Sequence, residues 1–225
     1  CTSSSRDIIS KHLESNFTPG TFTQSGSVEN AFGAQALWYR TNQFVELVSE
    51  HKDAFTGAGR DSDRWTLRLL GYQSDRRVTV ISTHLKAGTG SSNIEERLFG
   101  VNQIMEVLVS DLPLNRPVIL GGDFNLYSNS EPAYQRILED GYFIDPLGFG
   151  SWGGASSAQK HTQSPLGSSS GGLIGGGMDD RFDFLFVNTS ASNNEGLSAN
   201  FERYKAFGND GEHYNDGINE GNNFY

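Results

Sequence analysis

The stretch Val118-Ile119-Leu120-Gly121-Gly122-Asp123-Phe124-Asn125 decides both the fold class and the place where chemistry is expected. A compact apolar run is typical of a strand that is covered on both faces of a sheet. The two glycines let the backbone approach a ligand closely, and ligands of open α/β sheets bind beyond the carboxyl ends of the strands. We therefore predict a buried strand with Asp123 and Asn125 at its ligand-binding end.

Two interpretations of Asp123 and Asn125 fit the sequence. In an extended segment, residues two apart point to the same face, so the carboxylate could hold a hard cation or a water while the amide donates to a phosphate oxygen. In the other interpretation, the two residues form an Asx turn that only ends the strand.

Further strands and helices are predicted around this strand. Apolar, aromatic or β-branched runs that indicate strands cover residues 34–40, 65–72, 77–84 and 181–187. One helix is predicted from Ser92, with Glu95 completing a capping box, to about Asp111. Another is predicted from Ser130 to Gly141. This alternation of strands and helices predicts an α/β fold made of layers of sheet and helix.

Composition excludes several classes of protein. The 225 residues contain 17 Lys and Arg against 27 Asp and Glu, a net charge of −10, and 36% are hydrophobic, which is typical of a globular chain. A single Cys excludes an internal disulfide and a cysteine-rich zinc site. No apolar run approaches the roughly 18 residues of a membrane-spanning helix. The acidity argues against a broadly basic nucleic-acid wrapper, although a local cationic cleft could still hold phosphate.

The whole chain, residues 1–225, is predicted to form a single domain with one insertion. Residues 142–179 show no hydrophobic period, and nine of the twelve residues from Leu166 to Gly177 are Gly or Ser. We interpret 142–179 as a long Gly/Ser-rich surface loop, and loops of this length are usually functional or disordered.

Two further polar positions follow or interrupt apolar strands. His84 and Lys86 end one strand, where they suit an anionic substrate or are simply an ordinary solvent-facing strand end. Asp183 lies between Phe182 and Phe184, and a carboxylate buried there needs a partner. Arg181 could supply a structural ion pair, or Asp183 could orient a catalytic His as the acid of a dyad or triad does.

Three of these segments together resemble the endonuclease/exonuclease/phosphatase family. They are Ser82-Thr83-His84-Leu85-Lys86, Gly121-Gly122-Asp123-Phe124-Asn125 and Asp179-Asp180-Arg181-Phe182-Asp183, in the order and spacing of that family. The run from His161 to Pro165 and the run from Gly176 to Asp183 are similar to bacterial, often secreted members. The resemblance therefore favours a secreted or cell-surface location.

The resemblance implies a four-layer α/β sandwich, in which two packed mixed β-sheets are flanked by helices. It also implies in-line attack of a water on phosphorus, assisted by Mg²⁺ or Mn²⁺. By motif, Asp123 would bind the nucleophilic water or the metal, and His84 and Asn125 would bind the phosphate. Asp183 would orient the general-base His of the family.

The predicted substrate is a phosphoester. Lys86, His161 and Arg181 are the candidate substrate-binding residues. A nuclease or phosphodiesterase that acts on DNA or RNA is the favoured interpretation, and phosphoinositides and phospholipids share the same reaction core. The alternative is a non-catalytic binding or surface domain with the same fold.

Several motifs of the family are absent from this chain. The family begins with a strand that carries Asn and a strand that ends in Gln-Glu, and it ends with Ser-Asp-His; none of these is found. His213 is a poor substitute, because the residues before it resemble those that precede the missing motif. We therefore expect the first and last strands to be lacking and this chain alone to be inactive. Cys1-Thr2-Ser3 fits either an incomplete chain or a processed bacterial lipoprotein.

Overall fold

The computed structural model of the protein describes residues 3–22, 35–163, 166–168, 175–192, 197–206 and 209–217. The expectations that concern Cys1, Ala34, Pro165 and most of the Gly/Ser tract lie outside the described residues. None of the helices in the described part reaches the length and apolarity that crossing a membrane requires.

Six described strands follow the first α-helix, and strands and helices alternate only from the sixth strand onward. In the described residues the strands and α-helices are α1 (Ser3–His12), β1 (Phe17–Pro19), β2 (Trp38–Arg40), β3 (Phe44–Glu46), β4 (Lys52–Gly57), β5 (Arg60–Leu69), β6 (Arg77–His84), α2 (Ser91–Gln103), β7 (Val118–Asp123), α3 (Pro132–Leu138), β8 (Phe143–Ile144) and β9 (Asp183–Asn188). A π-helical segment, Ile104–Val109, continues α2, and 3-10 turns cover Val48–Glu50, Ala155–Lys160, Thr189–Ala191 and Phe201–Arg203.

The main sheet contains seven of these strands. Its order is β3-β5-β6-β7-β9-β8, and β4 also pairs with β5. Only β6 and β7 run parallel, and the other pairs are antiparallel. The predicted strand at 77–84 is confirmed with the same bounds, and the predicted strands at 117–122 and 181–187 are confirmed with small shifts.

The helices cover one face of the main sheet. Ile81, Leu120 and Phe186 are register partners across β6, β7 and β9, and they belong to one buried cluster with Val101 and Leu108 of α2 and its π-helical continuation. An alternate residue of each strand therefore points to the other face, which is the face that carries the candidate site.

The opposite face is covered at one end by the small sheet of β1 and β2. Trp65, which is fully buried, donates from Nε1 to the carbonyl oxygen of Thr21 at 2.7 Å. On the outer side of the small sheet, Trp38 Nε1 donates to Ser10 Oγ of α1 at 3.0 Å. The order helix, sheet, sheet, helix is the predicted four-layer α/β sandwich, and within the described residues its second sheet has two strands.

Two local predictions differ from the structure. The capping box of Ser92 and Glu95 does not form, because α2 begins one residue earlier and the carbonyl of Gly90 accepts from Asn93 N and Ile94 N. The stretch between α3 and β9 is not surface throughout, since Trp152 and His161 in it are buried. Burial of these two side chains offsets the backbone entropy that is lost when such a Gly/Ser-rich segment is ordered.

Gly122 is required by the close approach of β7 to β6. Its φ is +144°, and a Cβ added there would lie 1.9 Å from the carbonyl oxygen of Thr83. Any side chain at this position would push the two parallel strands apart. From the sequence, we interpreted the two glycines as positions where the backbone approaches a ligand. In the structure, Gly122 instead allows the close approach of the neighbouring strand β6.

A buried ion pair joins the two loops that follow β6 and β7. Arg97 of α2 is fully buried, and its Nε donates to Glu131 Oε2 at 2.8 Å. The same guanidinium donates to the carbonyl oxygens of Lys86 and Gly88, each at 2.8 Å. Glu131 in turn accepts from Tyr127 N at 2.8 Å. Arg97 therefore fixes the loop after β6, and Glu131 connects it to the loop after β7. Both loops lie beside the predicted site.

We predict that Arg97→Met lowers the free energy of unfolding by about 3–5 kcal/mol, because it leaves the carboxylate of Glu131 buried without its partner. The matched control is Arg136→Met, whose partners Glu139 and Asp140 are mostly exposed, and it should cost no more than about 1 kcal/mol. Urea unfolding measures both. The double variant Arg97→Met, Glu131→Gln should recover part of the loss. Equal losses of stability in Arg97→Met and Arg136→Met would contradict the prediction.

Candidate active site

Three side chains form a row across the open face of the main sheet. His84 pairs with Asp123 across the parallel strands β6 and β7, and Asp123 pairs with Asp183 across β7 and β9. His84 Nε2 lies 3.6 Å from Asp123 Oδ2. The row lies at the carboxyl ends of β6 and β7, where the sequence predicted that ligands would bind. The structure thus brings together three residues that are 39 to 99 positions apart in the sequence.

The pKa values of both carboxylates of the row are raised, mainly by burial. Burial raises the pKa of Asp123, against hydrogen bonds from Asn125 and the charge of Arg60. Desolvation of its carboxyl group also raises the pKa of Asp183, although the residue as a whole is exposed to solvent. The charge of Asp123 raises this pKa further. Such a pair attracts positive charge, because two neighbouring carboxylates ionise more easily when a cation is close.

The imidazole of His84 is shifted in the opposite sense. Burial lowers the pKa of His84, and the charge of Arg60 lowers it further, while Asp183 opposes the change. The neutral ring is therefore favoured near pH 7, with one nitrogen that donates and one that accepts. Such a ring can donate a hydrogen bond to a phosphate oxygen without carrying a charge of its own.

Asn125 holds the row in place from below. Its backbone N donates to Asp123 Oδ1 at 2.9 Å, and its Nδ2 donates to the carbonyl oxygen of Leu85 at 3.0 Å. Its φ is +50°, so the segment after Asp123 is not extended. The first of the two interpretations, in which both side chains point to the same face, assumed an extended segment. The Asx turn is the interpretation that the structure supports, and it orients the carboxylate while it ties together the ends of β6 and β7.

Arg60 is a site residue that the sequence analysis missed. It is buried at the start of β5, and its charge acts on both Asp123 and His84. The strand had been predicted to begin near Trp65, because the polar run Arg60-Asp61-Ser62-Asp63 does not alternate as a half-buried strand does. No sequence signal of that kind could have placed Arg60 beside the row.

Thr162 is a second residue that was missed, although it lies within the quoted run from His161 to Pro165. Its Oγ1 accepts from the backbone N of Phe182 at 3.1 Å and of Asp183 at 2.8 Å. The hydroxyl therefore fixes the start of β9 and with it the carboxylate of Asp183. An isolated Thr in a loop gives no signal of such a role.

Arg181 forms the structural ion pair that was considered for Asp183, but with a different partner. Its guanidinium binds Asp145 through two hydrogen bonds of 2.7 and 2.9 Å, and both side chains are almost fully buried. Tyr134 donates to the same carboxylate at 2.9 Å, and Arg181 stacks 4.0 Å from the ring centre of Phe184. The predicted pairing of Arg181 with Asp183 is wrong, because both terminal nitrogens of the Arg181 guanidinium are bound to the carboxylate of Asp145.

The other two candidate substrate-binding residues do not join the row. His161 is fully buried, and its Nδ1 lies 3.1 Å from the carbonyl oxygen of Met178 while its Nε2 faces that of Trp152. It holds the loop between α3 and β9 in place. Lys86 donates from Nζ to the carbonyl oxygen of its neighbour Ala87 at 2.9 Å. A role of Lys86 in substrate binding stays a prediction.

The described residues offer carboxylate oxygens but no complete protein cage for a metal. No group of three or more His, Cys, Asp or Glu side chains that could hold an ion is found among them. Asp123 and Asp183 do lie side by side, and Mg²⁺ is commonly held by one or two carboxylates while water and substrate phosphate complete its shell. The residues present fit that mode of binding.

Comparison with known proteins gives the fold. Neither a known family model nor a curated protein matches the sequence. Among solved structures, the catalytic domain of human Nocturnin with bound sulfate is similar with a TM-score of 0.54 and 16% identity, over 84% of this chain and 65% of that one. An endonuclease/exonuclease/phosphatase family protein from Bacteroides thetaiotaomicron gives 0.52 and 14%, again over 84% and 65%.

A third solved structure is the mannosyl-6-phosphatase of Bacteroides thetaiotaomicron, with a TM-score of 0.51 and 16% identity over 82% of this chain and 67% of that one. This chain therefore spans about 65% of the length of the first two structures. The likeness shows that the chain has the α/β fold of endonuclease/exonuclease/phosphatase proteins, as the three motifs predicted.

We predict that Asp183→Asn is more stable than the natural protein at pH 7. The raised pKa of Asp183 means that folding favours its protonated form, so the stability it contributes is present at low pH and is lost as the pH rises through its folded pKa. The variant removes this loss, and its advantage should disappear at about pH 3.5, below the ordinary carboxyl pKa. Thermal unfolding from pH 3.5 to 7 measures the difference.

The control for this prediction is Asp140→Asn at the end of α3, where the side chain is 71% exposed. Its melting temperature should follow that of the natural protein at each pH. Loss of stability in Asp183→Asn at pH 7 would contradict the prediction and would show that the carboxylate is mainly a structural acceptor for its neighbours.

Proposed function

We propose that the protein is a metal-dependent phosphoester hydrolase, and that phosphodiesters, including those of nucleic acids, are its main substrates. The observation that carries the proposal is the row of His84, Asp123 and Asp183 at the carboxyl ends of two parallel strands. The fold, which is shared with a phosphatase and with a domain that holds a sulfate anion, supports it. Sulfate has the shape and charge of a phosphate group.

The reaction in this proposal is in-line attack of a water on phosphorus, in which the new P–O bond forms as the P–O bond to the leaving alcohol breaks and the departing oxygen takes a proton from solvent water. His84 donates a hydrogen bond to a nonbridging phosphate oxygen, where negative charge increases in the transition state. Asp123, whose pKa is raised by burial, accepts a proton from the attacking water more readily than an ordinary carboxylate does. Asn125 keeps this carboxylate oriented through its backbone N. Arg60, behind the row, offsets the charge that gathers on it.

A divalent cation, Mg²⁺ or Mn²⁺, would be held by Asp123 with Asp183 beside it. When bound, it would neutralise the two carboxylates and act as a Lewis acid toward the phosphate. The raised pKa values of both acids support this assignment, because burial disfavours their charged forms and a bound cation would stabilise those forms. The role that the resemblance implied for Asp183, that of orienting a general-base His, stays a prediction, since the motif that supplies this His is absent from the sequence.

We predict that, in a protein that also carries the family motifs absent from this sequence, Asp123→Asn lowers turnover of a generic phosphodiester, bis(p-nitrophenyl) phosphate, by about 10²–10⁴-fold, the range for a positioned acid or base group. His84→Gln should lower it by a similar factor. The matched controls are Asp140→Asn and His12→Gln, which change the same residue types at exposed positions away from the row. Turnover of the two controls should stay within about twofold of the natural protein.

We also predict that EDTA abolishes the activity and that Mg²⁺ raises the melting temperature of the natural protein but not of Asp123→Asn, since a ligand that binds only the folded state stabilises it. The melting measurement reports the metal without depending on catalysis. Hydrolysis that persists after EDTA treatment and dialysis would contradict metal dependence. If the protein shows no hydrolysis and no Mg²⁺-induced rise in melting temperature, the alternative is favoured, that of a non-catalytic binding domain with this fold.

A further inference from the structure

A cleft of about 410 Å³ opens beside the row. Asp183 and Gly122 line it at the end that adjoins the proposed site, and Lys160, Arg203 and Lys205 line the rest together with apolar side chains. A molecule bound at the row could therefore extend into the cleft without leaving the protein surface.

The cleft is cationic on a protein that is acidic. The chain carries a net charge of −10, yet Asp183 is the only acid among the described residues that line the cleft. Lys160, Arg203 and Lys205 form no ion pair with any described residue, whereas arginines such as Arg64 and Arg97 are paired with carboxylates. Unpaired positive charges that face one cavity attract an anion from solution.

The segments that carry these charges are anchored. Lys160 ends a 3-10 turn and precedes His161, which is locked by two carbonyl groups. Tyr204 lies between Arg203 and Lys205, and its hydroxyl accepts from Leu185 N of β9 at 3.2 Å. The backbone beneath the cations is therefore held against the sheet, which reduces the ordering that an anion would have to impose.

The other large cleft does not share this property. It measures about 560 Å³ and lies at the opposite end of the central strands, beside the starts of β6 and β7. Three arginines line it, and two of them, Arg77 and Arg116, bind Glu50, so that only Arg76 among these three is left without an ion pair to a described residue. The comparison separates arginines that stabilise the fold from cations that remain available for a ligand.

We propose that the cleft beside Asp183 is a second anion subsite, which binds a phosphate group of the substrate other than the one that is cleaved. The proposal rests on the proposed function, which places the cleaved phosphate at the row. The apolar wall formed by Leu147 and Leu185 suits the sugar or base that joins the two phosphates. The preferred substrate is therefore a phosphoester that carries an additional phosphate.

The test compares thymidylyl-thymidine with and without a 5′-phosphate as substrate. The natural protein should show a higher kcat/KM for the phosphorylated dinucleotide, and the triple variant Lys160→Ala, Arg203→Ala, Lys205→Ala should lower that preference by about 10- to 100-fold, as the loss of charged hydrogen bonds predicts. Arg76→Ala is the matched control, because this exposed arginine lies at the opposite end of β6 and should leave the preference unchanged.

The outcomes separate this proposal from the proposed function. A triple variant that loses kcat/KM equally for both dinucleotides, or that keeps the preference, would overturn the subsite. If neither dinucleotide is cleaved, calorimetry of the phosphorylated one in EDTA decides: binding that weakens in the triple variant but not in Arg76→Ala supports the subsite, and unchanged or absent binding overturns it. The same measurement with a hexose bisphosphate and its monophosphate distinguishes a sugar from a nucleotide as the carrier of the second phosphate.

Discussion

The parallel pairing of β6 with β7 is the constraint on which the rest of the structure depends. It places His84 directly beside Asp123, and it is possible only because Gly122 brings the two backbones closer than any side chain would allow. The antiparallel pairing of β9 then adds Asp183 to the same row. The helices bury one face of these strands, and the row of three side chains lies on the other.

The sequence predicted the strands of this centre well, because their residues repeat a pattern that burial on both faces imposes. The bounds of β6 and the positions of His84 and Asp123 follow from that pattern and from the resemblance. The start of β5 could not be predicted in the same way, since Arg60, Asp61 and Asp63 are polar residues that are buried. Alternation measures exposure, and it fails where polar side chains are enclosed by tertiary contacts.

The partners of buried charges were also beyond the sequence. Arg181 lies two residues from Asp183, and proximity along the chain suggested that they pair, yet the carboxylate that binds the guanidinium comes from Asp145, 36 positions away. The same holds for Thr162, whose hydroxyl fixes the start of β9. Distances between residues of one strand can be deduced from strand geometry. The contacts that the long segment between α3 and β9 makes with the sheet cannot be deduced in this way.

The cluster around Arg97 has a further consequence for motion. One guanidinium is bound to the loop after β6 through two carbonyl oxygens and to the loop after β7 through Glu131. The two loops cannot open independently without breaking a buried charge pair. They should therefore exchange their amide hydrogens as a single cooperative unit, which makes this side of the candidate site a rigid wall.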